Sequence, residues 1–284
     1  MLLEASMTTP TFVLTNHKGG VGKSTSATNI ALGMVQVLRH LNAPNTRVLL
    51  IDTDSQAHAT LVTTGRNDFD INDSLYTVLM SDRESAAKTL AGMIVPSAWD
   101  ADLHILPASP TLEQAERELQ GTAGAPYRLS DPLSKIANLY AAIVIDTRPS
   151  FSLLTEMSLI ASTDALIPVE PRYLETVGLL SVIGKINDIR EGWRVQNLRI
   201  GGVIVTKMDN RVRGHKDLLE DLTGNNTLSK LLLGVIPQNE AVSYAHHNHM
   251  SVLDYNGNAP ASAAYIEIVV KLIQRRLVSR KASV

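Results

Sequence analysis

The segment Lys18-Gly19-Gly20-Val21-Gly22-Lys23-Ser24-Thr25 packs three glycines, two lysines and two hydroxyls into eight residues. Glycines let a backbone curl until successive N–H groups converge on one anion. A helix opening near Lys23 adds the positive end of its dipole. A lysine at that place reaches the β- and γ-phosphates of a nucleoside triphosphate, and the Ser24 hydroxyl is a natural Mg²⁺ ligand. The chemistry is nucleotide binding, with ATP and Mg²⁺ as the expected ligands. The common phosphate-loop pattern needs a glycine ahead of Gly19 that this segment lacks. The fit is to the deviant form Lys-Gly-Gly-x-Gly-Lys-Ser/Thr, which makes Lys18 a second lysine.

Three carboxylates follow apolar runs. Val48-Leu-Leu-Ile leads into Asp52-Thr-Asp54, and Ala142-Ile-Val-Ile leads into Asp146-Thr147. In α/β sheets, ligands sit beyond the carboxyl ends of the strands. A lone aspartate at a strand end serves equally well as a cap or turn. Three of them beside a phosphate loop read as the metal side of the site, with Asp146 as the Walker B carboxylate.

Short apolar runs recur along the chain as the strands that must carry these groups: Thr11–Thr15, Val48–Asp52, Leu103–Leu106, Ala142–Asp146, Ala165–Val169, Gly202–Thr206 and Leu232–Ile236. Such runs suit strands buried on both faces of a parallel sheet. Helix-length segments alternate with them, among them Lys23–His40, Thr111–Leu119, Leu174–Arg190 and Ala261–Val278. The expected fold is α/β, a doubly wound and mostly parallel sheet with helices on both faces. Asn42–Arg47, Gly121–Pro126, Asn187–Asn197 and Tyr255–Pro260 read as loops from their Gly, Pro and Asn content. None resembles a linker, so residues 1–10 read as a short lead-in and 11–284 as one domain.

Composition narrows the class further. The 284 residues carry a formal net charge of -2, with 44% hydrophobic and 19% charged residues, enough for a buried core. With no cysteine, disulfides and cysteine-held clusters are excluded, in keeping with a cytoplasmic setting. No apolar run approaches the roughly 18–20 residues that span a bilayer. Met1–Pro10 lacks the basic and apolar blocks of a secretory signal.

The motifs together resemble the ParA/MinD superfamily of deviant Walker ATPases, and most closely its ParA branch, over Thr11 to Leu277. Asp52-Thr-Asp54-Ser-Gln56-Ala-His-Ala-Thr60 is similar to the family's Asp-x-Asp-Pro-Gln-x-x-x-Thr, with Ser55 in place of the proline. Asp146-Thr147-Arg148-Pro149-Ser150 is similar to Asp-Thr-Pro-Pro-Ser, with Arg148 in place of the first proline. Thr206-Lys-Met208-Asp209-Asn-Arg211 and Val235-Ile-Pro237-Gln-Asn239 are similar to the late base-binding segments. The resemblance implies an ATPase that closes as a homodimer around ATP. Lys18 would reach the partner's nucleotide, and Gly19 would sit at the close contact between subunits. Gly20, Val21, Gly22, Lys23, Ser24 and Thr25 would bind phosphates. Ser24, Asp52 and Asp146 would hold Mg²⁺, partly through water, and Asp54 would position the attacking water. Met208, Asp209, Pro237 and Asn239 would contact the base. Ser55 loses proline's fixed φ, and Arg148 adds a cation that could serve the nucleotide, DNA or a neighbouring carboxylate.

The resemblance further implies non-specific DNA binding by the ATP dimer, a ParB-like adaptor that stimulates hydrolysis, and a nucleoid-associated location. The acidic total charge restricts a DNA surface to a local patch. The favoured cluster is Lys271, Arg275, Arg276, Arg280 and Lys281; the second is Arg211, Arg213 and Lys216, with His215. Either could instead be a solvated helix face. A rival reading of the C-terminal segment is a MinD-like membrane helix. Tyr265, Ile268, Val269, Leu272 and Ile273 read better as a core face, since after Ile273 the tail offers only Leu277 and Val278 and no Phe or Trp beside its bases. A metabolic enzyme of the amidase or ligase kind is the other alternative. The histidines of His246-His247-Asn-His249 lack the i, i+4 spacing of a helical metal pair.

Overall fold

The computed structural model describes residues 9–172 and 175–281, without the side chains of 175–176 and 276–281. The chain runs β1 (Thr11–Leu14), α1 (Lys23–His40), β2 (Val48–Asp52), α2 (His58–Thr64), α3 (Leu75–Met80), α4 (Ala86–Met93), β3 (Val95–Pro96), β4 (Leu103–Leu106) and α5 (Leu112–Leu119). It continues α6 (Ser130–Ile136), β5 (Ala142–Asp146), α7 (Leu153–Ile160), β6 (Asp164–Val169), α8 (Glu175–Gly192), β7 (Arg199–Met208) and α9 (Arg213–Gly224). The last elements are α10 (Leu228–Leu231), β8 (Leu232–Pro237), α11 (Glu240–His247), α12 (Val252–Tyr255) and α13 (Pro260–Lys281).

Among the described residues, eight strands form one sheet in the order β3-β4-β2-β5-β1-β6-β7-β8. All neighbours are parallel except the two-residue edge strand β3, which runs antiparallel to β4. The strand order reverses at β1, so the loop after β1 opens at the crevice where such sheets take ligands. Alternate strand residues feed two cores. Val13, Leu49, Ile51, Ile143 and Ile145 face one layer with residues of α3, α5, α7 and α8. Phe12, Leu14, Val48, Leu50 and Val144 face the other with α1 and α13. Helices therefore cover both faces, as the buried, non-alternating strands require.

Close packing fixes α13 in that second layer. A Cβ at Gly234 of β8 would lie 2.6 Å from Ile268, and one at Gly33 of α1 would lie 3.1 Å from Val269. Tyr265, Ile268, Val269 and Leu272 are buried, so this stripe packs the core as its spacing predicts.

One expected loop is overturned. Residues 187–192 belong to α8, which runs to Gly192 before the chain turns toward β7. Asn187 and Gly192 suggested a break, but Ile186 and Ile189 are buried against the sheet and carry the helix through. The short β3 leaves no run long enough to read from sequence.

Candidate active site

The phosphate loop bridges β1 and α1. Gly20 and Gly22 adopt φ of 74° and 80°, conformations that favour glycine. Gly19 has no such constraint, and a Cβ there would meet only the Pro149 side chain at 3.9 Å. Several groups outside the glycine motif hold the loop. The Asn16 side chain accepts from the Lys18 N–H at 3.0 Å and donates to the Pro168 carbonyl at 2.8 Å. Thr206 donates to the Val21 carbonyl at 2.9 Å. Lys207, held at φ 52°, donates to the Gly20 carbonyl at 2.6 Å. A non-glycine residue in the left-handed region is uncommon and clusters at functional sites. Asn16 and Lys207 were missed in the sequence because nothing there shows which carbonyls a neighbouring strand end brings near.

Lys23 is 6% exposed, and its ammonium donates to the Lys18 carbonyl at 2.8 Å. Burial lowers its pKa, while Asp146 and Asp54 oppose that shift. The loop therefore carries a buried cation beside carboxylates on β5 and after β2. Lys18 and Ser24 are partly exposed, and Gly19 and Gly20 are open to solvent.

Asp52 and Asp146 are register partners at the ends of β2 and β5, each with 0% exposure. Asp52 is well partnered. Its Oδ2 accepts from the Thr60 N–H and hydroxyl, both at 2.8 Å, and its Oδ1 accepts from the Asp54 N–H at 3.0 Å. Burial still pushes its pKa up to about 6. Asp146 differs: neither carboxylate oxygen has a hydrogen-bond partner of acceptable geometry. Burial, and then the Asp52 charge, raise its pKa well above the usual range, with Ser24 and Lys23 nearby as opposing influences. A buried carboxylate facing another carboxylate is costly unless a cation compensates it. Two orphaned hard oxygens near the Ser24 hydroxyl fit Mg²⁺, which favours oxygen ligands. Asp54 is 8% exposed and accepts from the Gln56 N–H at 3.0 Å.

The structure thus brings together Lys23, Ser24, Asp52, Asp54 and Asp146. Met208 and Pro237 lie side by side at the carboxyl ends of β7 and β8, with the Gln238 N–H donating to the Met208 carbonyl at 2.8 Å. The Asn239 side chain accepts from the Ala241 N–H at 2.9 Å and so caps α11. Arg211 embraces Asp209 through Nε and Nη2, which lowers the Asp209 pKa to about 2.

A family profile described as an AAA domain matches residues 9–200. The chromosome partitioning protein ParA of Caulobacter vibrioides (strain NA1000 / CB15N) is 32% identical over 269 residues, covering 92% of this chain and 93% of that protein. The chain belongs to the ParA family. It is accordingly an ATPase, and ATP and Mg²⁺ are the ligands its site serves. The sporulation initiation inhibitor protein Soj of Bacillus subtilis (strain 168) is 28% identical over 90% of this chain and 94% of Soj. Among solved structures, cobyrinic acid a,c-diamide synthase from Mycobacterium smegmatis, with a bound ATP analogue and magnesium, is 25% identical with a TM-score of 0.73. That match covers 94% of this chain and 95% of the synthase.

Both departures from the family's switch motifs find carboxylate partners on α5. The Ser55 hydroxyl donates to Glu113 at 3.1 Å, and Arg148 pairs with Glu116 at 2.9 Å. Of the three roles open to Arg148 in the sequence, the structure shows the neighbouring carboxylate.

The basic candidates divide. Lys271 donates to the Leu233 carbonyl and pairs with Glu267, and Arg275 donates to the Gly201 carbonyl. These carbonyls lie toward the amino ends of β8 and β7. Arg276, Arg280 and Lys281 have side chains outside the described residues. Arg213 and Lys216 sit past the carboxyl end of β7, exposed and without an ion pair among the described residues. Arg213 and Lys216 therefore lie at the opposite end of β7 from Arg275. Arg199 and Lys230 join Lys271 and Arg275 around one groove, a grouping that only the fold reveals.

Proposed function

We propose that this chain is an ATP-dependent DNA-partition ATPase. ATP closes a homodimer, the dimer binds DNA without sequence preference, and hydrolysis stimulated by a ParB-like adaptor releases it. The observation that carries this reading is the 32% identity to a chromosome partitioning ParA across nearly the full length of both chains. The Lys18-Gly19 pair supports it. Both residues lie at the open edge of the phosphate loop, where a second subunit can reach them.

In this reading Lys23 and the loop N–H groups hold the triphosphate. Ser24 and Asp146 hold Mg²⁺, with Asp52 beside them, and Asp54 orients water. The bound metal would neutralise charge on the phosphates. Met208, Asp209, Pro237 and Asn239 border the base. The DNA surface falls first to Arg213 and Lys216, because Arg211 is tied to Asp209 and Lys271 is engaged by Glu267 and a backbone carbonyl. Membership at the nucleoid follows from DNA binding. Among the described residues no helix is long and apolar enough to cross a membrane.

The test is binding to non-specific duplex DNA with ATP, ADP or no nucleotide across a salt series, with lipid vesicles in parallel. Binding that needs ATP and weakens steeply with salt supports the reading. Vesicle binding without DNA binding favours a MinD-like positioning ATPase. Binding to neither favours a metabolic role, the class of the synthase with the similar fold.

A further inference from the structure

Helix α5 and the turn before it touch every segment that carries a site carboxylate. The Ala108 N–H donates to the Thr60 hydroxyl at 2.9 Å, and that hydroxyl donates to Asp52 Oδ2. In the first turn of α5, Glu113 accepts from Ser55, the residue after Asp54. Glu116 then pairs with Arg148, two residues after Asp146. Glu113 and Glu116 are three residues apart and so share one helix face.

The same helix is anchored from behind. Leu112, Ala115 and Leu119 are at most 2% exposed and pack into the core. Ser55 is 2% exposed, and the Arg148 and Glu116 side chains are only 26% and 20% exposed. The contacts are therefore held by a rigid element, and they add a second tie to the direct one in which the Thr53 hydroxyl and N–H donate to the Asp146 carbonyl at 2.7 and 3.0 Å. The β2–α2 loop ends one strand and the β5–α7 loop ends its neighbour. Their relative placement sets how Asp54 stands to Asp146.

We propose that Glu113 and Glu116 are positioning residues for ATP hydrolysis. They hold the Asp54 and Asp146 loops in one arrangement through Ser55 and Arg148. Neither glutamate touches the phosphate loop, so their loss affects turnover rather than nucleotide capture. A misplacement of about 1 Å can cost about 10²-fold in rate, so a smaller shift is expected to cost several-fold.

The experiment is steady-state ATP hydrolysis by the full chain without DNA or adaptor, so its outcome is separate from the partition reading. E113A, E116Q and R148M each lower kcat about three- to tenfold, with KM for ATP within about twofold of wild type. The reversed pair R148E/E116R recovers kcat to within about threefold of wild type. E113A adds nothing further in an S55A background, because both remove one contact. Unchanged kcat in E113A and E116Q overturns the proposal. So does a reversed pair that folds with the wild-type melting temperature yet is no faster than R148M. Should the reversed pair not fold, the S55A/E113A cycle decides: additive losses overturn the proposal, and a shared loss sustains it.

Discussion

Asp52 and Asp146 stand directly opposite each other on β2 and β5, both fully buried, yet of the two carboxylates only that of Asp52 has hydrogen-bond partners. The site thus holds two buried carboxyl groups face to face, offset only in part by Lys23 and Ser24, a cost that Mg²⁺ with nucleotide can relieve. Asp146→Asn removes that repulsion. It raises the stability of the nucleotide-free protein on the order of 1–2 kcal/mol at pH 8 and abolishes the further gain from Mg²⁺ and ATP. Urea unfolding with EDTA and with Mg·ATP checks both halves. A destabilised variant that still gains from Mg·ATP contradicts the assignment.

The same pair predicts a pH dependence. Burial raises Asp52 from 3.8 to about 6 and Asp146 well above its ordinary value. The folded chain therefore holds protons that the unfolded chain releases. Its advantage is fullest at low pH and is lost as pH rises through the folded value. For Asp52 alone the loss is on the order of 3 kcal/mol. In EDTA, the urea midpoint should fall between pH 5 and pH 8 by more in wild type than in Asp52→Asn. Equal shifts in the two proteins would contradict this.

Lys207 holds the Gly20 carbonyl from a left-handed backbone position. Lys207→Met should loosen the phosphate loop and raise KM for ATP about threefold, since an exposed lysine contact contributes under about 1 kcal/mol. Lys23→Ala, by contrast, removes the buried ammonium proposed to bind the phosphates and should abolish measurable ATP binding. Isothermal titration of both variants separates the two roles.

Gly19 differs from its neighbours. Gly20 and Gly22 need their positive φ, whereas a Cβ at Gly19 makes only ordinary contact within the chain. Gly19→Ala should leave stability within about 0.5 kcal/mol of wild type. If Gly19 lies at the contact between subunits, the same change should block ATP-dependent dimerisation. Calorimetry and light scattering together check this, and a variant that dimerises normally removes Gly19 from the interface.

Much of this was legible in the residues. Val48–Asp52 and Ala142–Asp146 are strands with the bounds their apolar runs indicate, because strands buried on both faces show no competing pattern. The phosphate loop and strand-end aspartates were legible for the same reason: short motifs with fixed local geometry. What stayed hidden was long-range. Nothing in Ser55 or Arg148 points to Glu113 or Glu116, which lie 58 and 32 residues away. The pairing of Arg211 with Asp209 was local and could have been read from their spacing. It withdraws one cation from the DNA candidates. The separation of Arg213 and Lys216 from Arg275 along β7 required the sheet order.

The measurement that tests the account most directly is the solution mass of wild type and Lys18→Ala in Mg·ATP and in Mg·ADP, by light scattering. The account predicts that wild type doubles its mass in ATP and stays single in ADP, while Lys18→Ala stays single in both with its fold intact. Wild type remaining single in ATP, or Lys18→Ala pairing as readily as wild type, would contradict the ATP-closed dimer on which the proposed function rests.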